Sequence, residues 1–160
     1  MSNSFGSHLA YFSEQQCGRQ WRAFLGALAE ELAEQMSDDE IQSFMYVLGR
    51  RMGESVQPAE ASTLEEMEAA ANAIWADWNW GLVRFKDVQT SLEIIHDCAP
   101  FRAAFGAAGI SWSGALLEGI YSRWFEAFGA GDDLVLRQIE IEEGEVDSYR
   151  YRLAHRSLFG

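Results

Sequence analysis

Apolar residues recur every three or four positions in three segments of the N-terminal half, which is the spacing of one helical face. The first two segments follow residues 13–16 and 37–40, both of which have capping-box order. In that order the first and fourth side chains bind free amides at a helix start. The third segment begins near Leu64 and ends at Trp78. The pattern therefore predicts three amphipathic helices.

The pattern changes at residues 78–81, which read Trp-Asn-Trp-Gly. After Gly81, apolar Val83 and Phe85 alternate with basic residues, as they would in a half-buried strand. Asparagine and glycine are the residues that best tolerate the left-handed conformation at a helix end. The three tryptophans at this bend bring enough apolar surface to seat a helix on a sheet. We expect the rest of the chain to be organised around it.

Beyond the bend, alternating segments come in two pairs. Residues 82–88 and 92–96 predict a hairpin, and residues 101–105 and 112–128 predict a short and a long helix before two more strands. The apolar residues of the last two strands are expected to face one core: Val135, Ile139 and Ile141 on one strand, Tyr149, Tyr151 and Leu153 on the other. That arrangement requires an odd number of residues in the turn, because a slip of one residue reverses the faces.

Helices and strands are thus segregated along the chain: three helices, a hairpin, a helix and a second hairpin. Segregation favours an α+β fold with a small, mainly antiparallel sheet packed on helices. Residues 1–12 are small and polar and predict a flexible N-terminal arm. Residues 13–160 are predicted to form a single domain, which is the expected number for this length.

Charge narrows the range of partners. The 160-residue chain has a net charge of −13, which repels phosphate backbones and anionic lipids, so we expect no nucleic-acid partner. No apolar run approaches the ~20 residues of a membrane span, so we expect no membrane insertion. The first residues lack the basic start and apolar run of a secretion signal. We therefore expect a cytoplasmic protein, with a periplasmic location as the alternative.

Reactive side chains are scattered along the chain. Cys17 and Cys98 are too far apart to suggest a disulfide framework, and the three histidines are isolated from other metal-ligating residues. No phosphate-binding glycine loop follows a strand, and no Gly-x-Ser-x-Gly elbow occurs. The sequence predicts no catalytic residue, no metal site and no cofactor.

The aromatic residues are the most suggestive feature. Trp21, Trp75 and Trp78 lie on helical apolar stripes, where core packing or a subunit interface is expected, and they are our candidates for an oligomer interface. Tryptophan and tyrosine also stack on the apolar faces of sugar rings. Tyr11 and Phe12 in the arm, with Trp80 just past the helix register, are the candidates for such contacts.

Residues 79–81 lead into a strand, and a second strand ends with residues 94–97. Residues 116–124 (Leu-Leu-Glu-Gly-Ile-Tyr-Ser-Arg-Trp) lie on the last predicted helix, and residues 24–32 and 48–53 lie on the first two. In this order, these motifs resemble the D-subunit family of bacterial cellulose synthase, in which they correspond to the same helices and strands.

The resemblance implies a non-catalytic accessory subunit of bacterial cellulose synthesis and export. It implies dimers assembling into an octameric cylinder whose N-terminal arms line passages for β-1,4-glucan chains, and a role in ordering crystalline cellulose. It also implies a second arrangement, a cytoplasmic scaffold that aligns synthase complexes with a proline-rich accessory protein. The other synthase subunits would be partners in either case.

Two other functions are weighed against this one. The order of helices and hairpins also resembles the haem–nitric-oxide-binding and vesicle-tethering group, which holds a small ligand against its sheet. A sensor of that kind is the main alternative. A glycan-active enzyme is the third hypothesis, and it would need two carboxylates flanking a sugar cleft.

Overall fold

Three helices occupy the N-terminal half of the structure, a computed structural model that describes residues 17–139 and 147–159. They are α1 (Arg19–Gln35), α2 (Asp38–Ser55) and α3 (Leu64–Trp78). The predicted start of α2 is confirmed, since the Ser37 side chain accepts a hydrogen bond from the Glu40 amide. Thr63 and Glu66 form the full reciprocal capping box of α3. Residues 1–12 and the capping box at 13–16 lie outside the described residues.

The remaining elements build one sheet and two helices. Strands β1 (Leu82–Asp87) and β2 (Ser91–Asp97) form the predicted hairpin. Helices α4 (Phe101–Phe105) and α5 (Gly114–Ala127) come next, followed by β3 (Leu134–Ile139) and β4 (Ser148–His155). The strands pair in the order β1-β2-β4-β3, and each pair is antiparallel. The predicted α+β class with an antiparallel sheet is confirmed.

The closest helix packing joins α2 to α5. A Cβ atom added to Gly49 would overlap the carbonyl oxygen of Leu116, and one added to Gly119 would overlap that of Tyr46. The two helix backbones therefore approach more closely than any larger residue would allow. On the same pair of helices Arg50 donates two hydrogen bonds to the Glu126 carboxylate, at 2.8 and 3.0 Å. This crossing fixes α2 against the helix that lies under the sheet.

Side chains from the helices occupy both edges of the sheet. On β1 the Val83 amide donates to Asn72 Oδ1, whose amide group donates back to the Val83 carbonyl, and the Phe85 amide donates to Glu68. On β3 the Gln138 amide donates to Glu118 at 3.3 Å. Exposed strand edges invite pairing with other chains, so these contacts restrict edge-to-edge association.

The register of the last two strands differs from the prediction. Leu136 pairs with Leu153 and is buried, whereas Val135 pairs with Ala154 and Ile139 with Arg150. Val135 and Ile139 therefore lie on the face opposite the helices, and the prediction that they share the core with Tyr151 is wrong. Ile141 lies outside the described residues. An even number of residues separates Ile139 from its partner Arg150, which reverses the faces.

Candidate functional site

The bend between α3 and β1 is organised around Trp75. The rings of Trp75 and Trp80 are parallel, with centroids 5.9 Å apart, and Trp78 meets Trp75 edge-on at 5.7 Å. Trp124 of α5 lies 5.0 Å away on another side. Asn79 ends α3 with a left-handed φ of 57°, and Gly81 follows with φ of 88°. Both left-handed positions were expected from the sequence, and together they turn the chain back onto its own helix.

His96 connects the bend to the core. Its ring lies 4.9 Å from that of Trp75, its Nδ1 atom contacts the Tyr121 hydroxyl, and its Nε2 atom lies 2.7 Å from the Trp80 carbonyl oxygen. A carbonyl only accepts, so Nε2 carries the proton and Nδ1 accepts from Tyr121. Burial lowers the pKa of His96 to about 4. Both ring nitrogens are engaged, so ligation of a haem iron would cost one of these bonds.

The three tryptophans predicted to form an oligomer interface differ in exposure. Trp75 is 0% exposed, so the prediction that it contacts another subunit directly is wrong: its whole surface is used inside this one. Trp78 is half-buried against the core cluster. Trp21 is 59% exposed and meets Phe24 edge-on at 6.1 Å. Only Trp21 offers most of its ring to a partner.

Of the three predicted glucan contacts, Trp80 alone lies within the described residues. Tyr11 and Phe12 lie outside the described residues. Trp80 is half-buried, because it stacks on Trp75 and meets Phe101 edge-on at 5.1 Å. Packing therefore explains most of its position, and a role for these three residues in glucan binding stays a prediction.

Helix α1 has an apolar face that is wider than the contact it makes. Ala29 is fully buried, while Leu32 and Met36 are half-buried against the core. Trp21 and Phe24, 59% and 58% exposed, continue the same apolar arc into solvent together with Leu28. An amphipathic helix normally buries its apolar arc. Half of the arc on α1 is left without a partner among the described residues.

Helix α2 repeats this arrangement. Its buried side consists of Ile41, Met45, Gly49 and Gly53, and the two glycines meet α5. Phe44 and Val47 are 52% and 59% exposed, and Leu48 beside them is also exposed. Helical periodicity predicts Phe44 and Leu48 on the core side and leaves Val47 out. The sequence does contain a sign of this exposed surface: the apolar residues of α2 cover a wider arc of the helix than one packing contact can bury. We call the exposed residues of α1 and α2 together (Trp21, Phe24, Leu28, Phe44, Val47 and Leu48) the helical apolar surface.

The displaced pKa values of the following groups have structural causes. Burial raises the pKa of Glu118, which accepts the hydrogen bond from the β3 edge. Burial also raises the pKa of Cys98 and of Cys17, so neither thiol is activated as a nucleophile. Within residues 17–139 and 147–159, no group of three or more ligating side chains could hold a metal ion. Over the same residues, no helix is long and apolar enough to cross a bilayer.

Comparison with known proteins identifies the family. The family described as the D-subunit of cellulose synthase matches residues 7–151. The chain belongs to the cellulose synthase D-subunit family. Two relatives named cellulose synthase operon protein D, both from Komagataeibacter xylinus, are 29% and 31% identical to it over 124 residues. A third, from Komagataeibacter sucrofermentans, is 31% identical. Each alignment covers 75% of this chain and 80% of the relative.

Membership of the cellulose synthase D-subunit family supports involvement in cellulose synthesis and implies other synthase subunits as partners. The matched range includes the bend, the crossing of α2 with α5 and the helical apolar surface.

The motifs that resemble this family are contacts of the fold. Residues 48–53 meet residues 116–124 at the glycine crossing of α2 and α5. Residues 79–81 meet residues 94–97 through the bond of His96 to the Trp80 carbonyl and the close approach of Gly81 to Asp97. Four of the ranges that carry the resemblance thus form two packing contacts, while the remaining range, residues 24–32, belongs to α1. Each of these contacts holds an element in place, and none presents a reactive group to solvent.

Proposed function

We propose that this protein is a non-catalytic, oligomeric accessory subunit of bacterial cellulose synthesis and export. It organises synthase complexes or glucan chains for the assembly of crystalline cellulose. The observation that supports this most directly is the helical apolar surface on α1 and α2, which belongs to a member of the cellulose synthase D-subunit family.

The helical apolar surface has the properties of a protein interface. Aromatic residues held on regular helices lose little conformational freedom on binding, and buried aromatics dominate interface energetics. Full burial of one large apolar side chain contributes about 1.5–3 kcal/mol. Trp21, Phe24 and Phe44 are each more than half exposed, so each has area left to bury. Burial of these rings against a partner would therefore favour association.

A second copy of this chain is the proposed partner for that surface. Across a two-fold axis an apolar helical stripe meets itself, which generates a dimer without any other chain. Dimers that assemble further would give the proposed octamer. The net charge of −13 opposes assembly at low ionic strength. We therefore expect self-association to strengthen between low and physiological salt, because screening weakens the repulsion and leaves the apolar contact intact.

Three described glutamates and His96 have structural tasks, which supports a role without catalysis. Glu68 and Glu118 bind backbone amides at the two edges of the sheet, and Glu66 caps α3. His96 uses both ring nitrogens inside the core. Each of these side chains thus makes a hydrogen bond that stabilises the fold. If it acted as a general acid or base, that hydrogen bond would be lost. Incubation with cello-oligosaccharides should give a flat time course, and a hydrolysis or transfer product would refute the non-catalytic role.

A cellular experiment tests the proposed function. Cells lacking the native gene are supplied with the wild-type protein, with the double variant Trp21→Ser and Phe24→Ser, or with a control double variant, Leu134→Ser and Leu158→Ser. The control residues are also exposed and apolar, but Leu134 belongs to β3 and Leu158 to the C-terminal turn Arg156–Phe159. We expect X-ray diffraction to show less crystalline cellulose with the first double variant and wild-type cellulose with the control. Wild-type crystallinity with both variants, at equal protein levels, would contradict the proposal.

A further inference from the structure

The sheet has a second face, opposite the helices, and this face is basic. Facing residues in antiparallel strands project to the same side. The register therefore aligns Lys86, Glu93, Arg152 and Arg137 in one row across the four strands. The adjacent row contains Arg84 and Arg150, with buried Ile95 between them. Five of the twelve basic residues of an acidic chain thus share one side of one sheet. We call these five residues the basic sheet face.

The carboxylates on this side are already engaged with two of its arginines. Asp97 lies 3.3 Å from Arg84 and also accepts a hydrogen bond from Ser148. Glu93 lies 3.9 Å from Arg150. Within the described part of the chain, Lys86, Arg137 and Arg152 form no ion pair, and all three are exposed. The basic sheet face therefore keeps an excess of positive charge.

Arg137 and Arg152 are direct cross-strand partners. Like charges opposite one another destabilise a sheet, and a bound anion between them would remove that cost. The chain has 25 acidic residues with which to neutralise the pair. The side chain of Arg137 instead lies over the ring of Phe159, 6.0 Å from its centroid. This arrangement fits a surface that receives its negative charge from a ligand.

We propose that the basic sheet face is a docking site for an extended, carboxylate-rich segment of another protein. Neighbouring strands are about 4.8 Å apart, so the row from Lys86 to Arg137 spans about 14 Å. An extended peptide repeats its side chains on one side about every 6.8 Å, so two or three carboxylates fit along the row. Arginine pairs with carboxylates through two parallel hydrogen bonds, which gives both affinity and register.

Charge favours a short acidic segment over a long polyanion. The net charge of −13 means that surface beyond the basic sheet face is mostly negative. A nucleic acid extending past the five basic residues would meet that repulsion, whereas a segment of a few residues would not. The site lies on the sheet and the helical apolar surface lies on α1 and α2, so this proposal does not depend on self-association.

The test measures how tightly the full-length protein binds a fluorescent peptide made of six Glu-Thr repeats. The triple variant Lys86→Gln, Arg137→Gln and Arg152→Gln should weaken binding about tenfold or more, and raised salt should weaken wild-type binding. The control triple variant is Arg19→Gln, Arg51→Gln and Arg102→Gln. It makes the same change in charge at exposed positions outside the sheet and should bind normally.

A covalent readout keeps the test independent of the stability of these variants. Lys86 is the only lysine of the chain, so a zero-length carbodiimide should join peptide carboxylates to this residue of the wild-type protein. Mass spectrometry identifies the product. Lys86→Arg should retain peptide affinity and lose that cross-link.

Three results would overturn the proposal. The first is no peptide binding at low salt, or equal loss in the two triple variants. The second is a twelve-residue thymidine oligonucleotide that binds more tightly than the peptide through the same three residues, which would make the site a phosphate site. The third is that the wild-type protein does not bind the peptide, while the triple variant of Lys86, Arg137 and Arg152 has an oligomer mass different from that of the wild type. In that case the basic sheet face would contact a second copy.

Discussion

The bend after α3 and the helical apolar surface are both rich in aromatic residues, yet they have opposite relations to solvent. Trp75 is surrounded by Trp78, Trp80, His96 and Trp124 and has no exposed area. Trp21 lies on an equally regular helical stripe and is 59% exposed. The difference arises because β2 and α5 place His96 and Trp124 against Trp75, whereas most of the α1 contact is with the short helix α4.

A tryptophan on a helical stripe is buried or left exposed according to what the fold places opposite it, and on our proposal the exposed one serves assembly. Removal of a ring from the bend should therefore lower the stability of the subunit. Removal of a ring from the helical apolar surface should lower association and leave the subunit intact.

The largest effect is expected at Trp75. Trp75→Ala should lower the free energy of unfolding by about 3–5 kcal/mol, because it leaves a cavity within the ring cluster. Trp21→Ala is the matched variant, and it should change the unfolding free energy by less than about 0.5 kcal/mol at protein concentrations that keep the chain monomeric. Urea unfolding followed by far-UV circular dichroism measures both. Equal losses would abolish the distinction between the two regions.

The bend should also be the acid-sensitive region. Burial lowers the pKa of His96 to about 4, while the unfolded chain binds that proton near its ordinary pKa of 6.5. The contribution of neutral His96 to the free energy of unfolding is therefore complete above pH 6.5. It is lost as the pH falls toward 4, by about 3 kcal/mol at most. Urea unfolding at several pH values should show this slope on top of that of the carboxylates. In His96→Gln the slope should be smaller, and an identical slope would contradict the assignment.

A smaller effect separates a covered glycine from an open one. Gly49→Ala should cost about 1–3 kcal/mol, since its methyl group would meet the Leu116 carbonyl of α5. Gly26 of α1 has no atom within 4 Å of an added Cβ. Gly26→Ala should therefore raise stability by about 0.5–1 kcal/mol through helix propensity alone. The two melting temperatures should move in opposite directions. A decrease for both would mean that α1 is covered more closely than the structure shows.

Local chemistry made much of the fold predictable. The cap at Ser37 and the left-handed Asn79 each depend on residues near in sequence. The β3 register was not predictable in the same way. Leu134, Val135 and Leu136 are three apolar residues in succession, so alternation alone does not determine which of them is buried.

The surfaces were less predictable than the elements. Periodicity identified the apolar stripes of α1 and α3, but it does not show how much of a stripe another element covers. The distinction between Trp21 and Trp75 therefore required the structure. The basic sheet face required it as well, because Lys86, Arg137 and Arg152 come from three strands whose order is a property of the sheet. An alternating strand pattern shows that such residues face solvent, but it does not show that residues of different strands lie beside one another on the same face of the sheet.

Sedimentation velocity of the purified protein across a micromolar concentration series is the most direct test of assembly through the helical apolar surface. It compares the wild type, the double variant Trp21→Ser and Phe24→Ser, and the control double variant Leu134→Ser and Leu158→Ser. We expect a defined oligomer for the wild type and the control. For the double variant we expect a shift to monomer, with an unchanged melting temperature measured where the wild type is also monomeric. A monomeric wild type at all concentrations, or an oligomer of unchanged mass in the double variant, would contradict this mode of assembly.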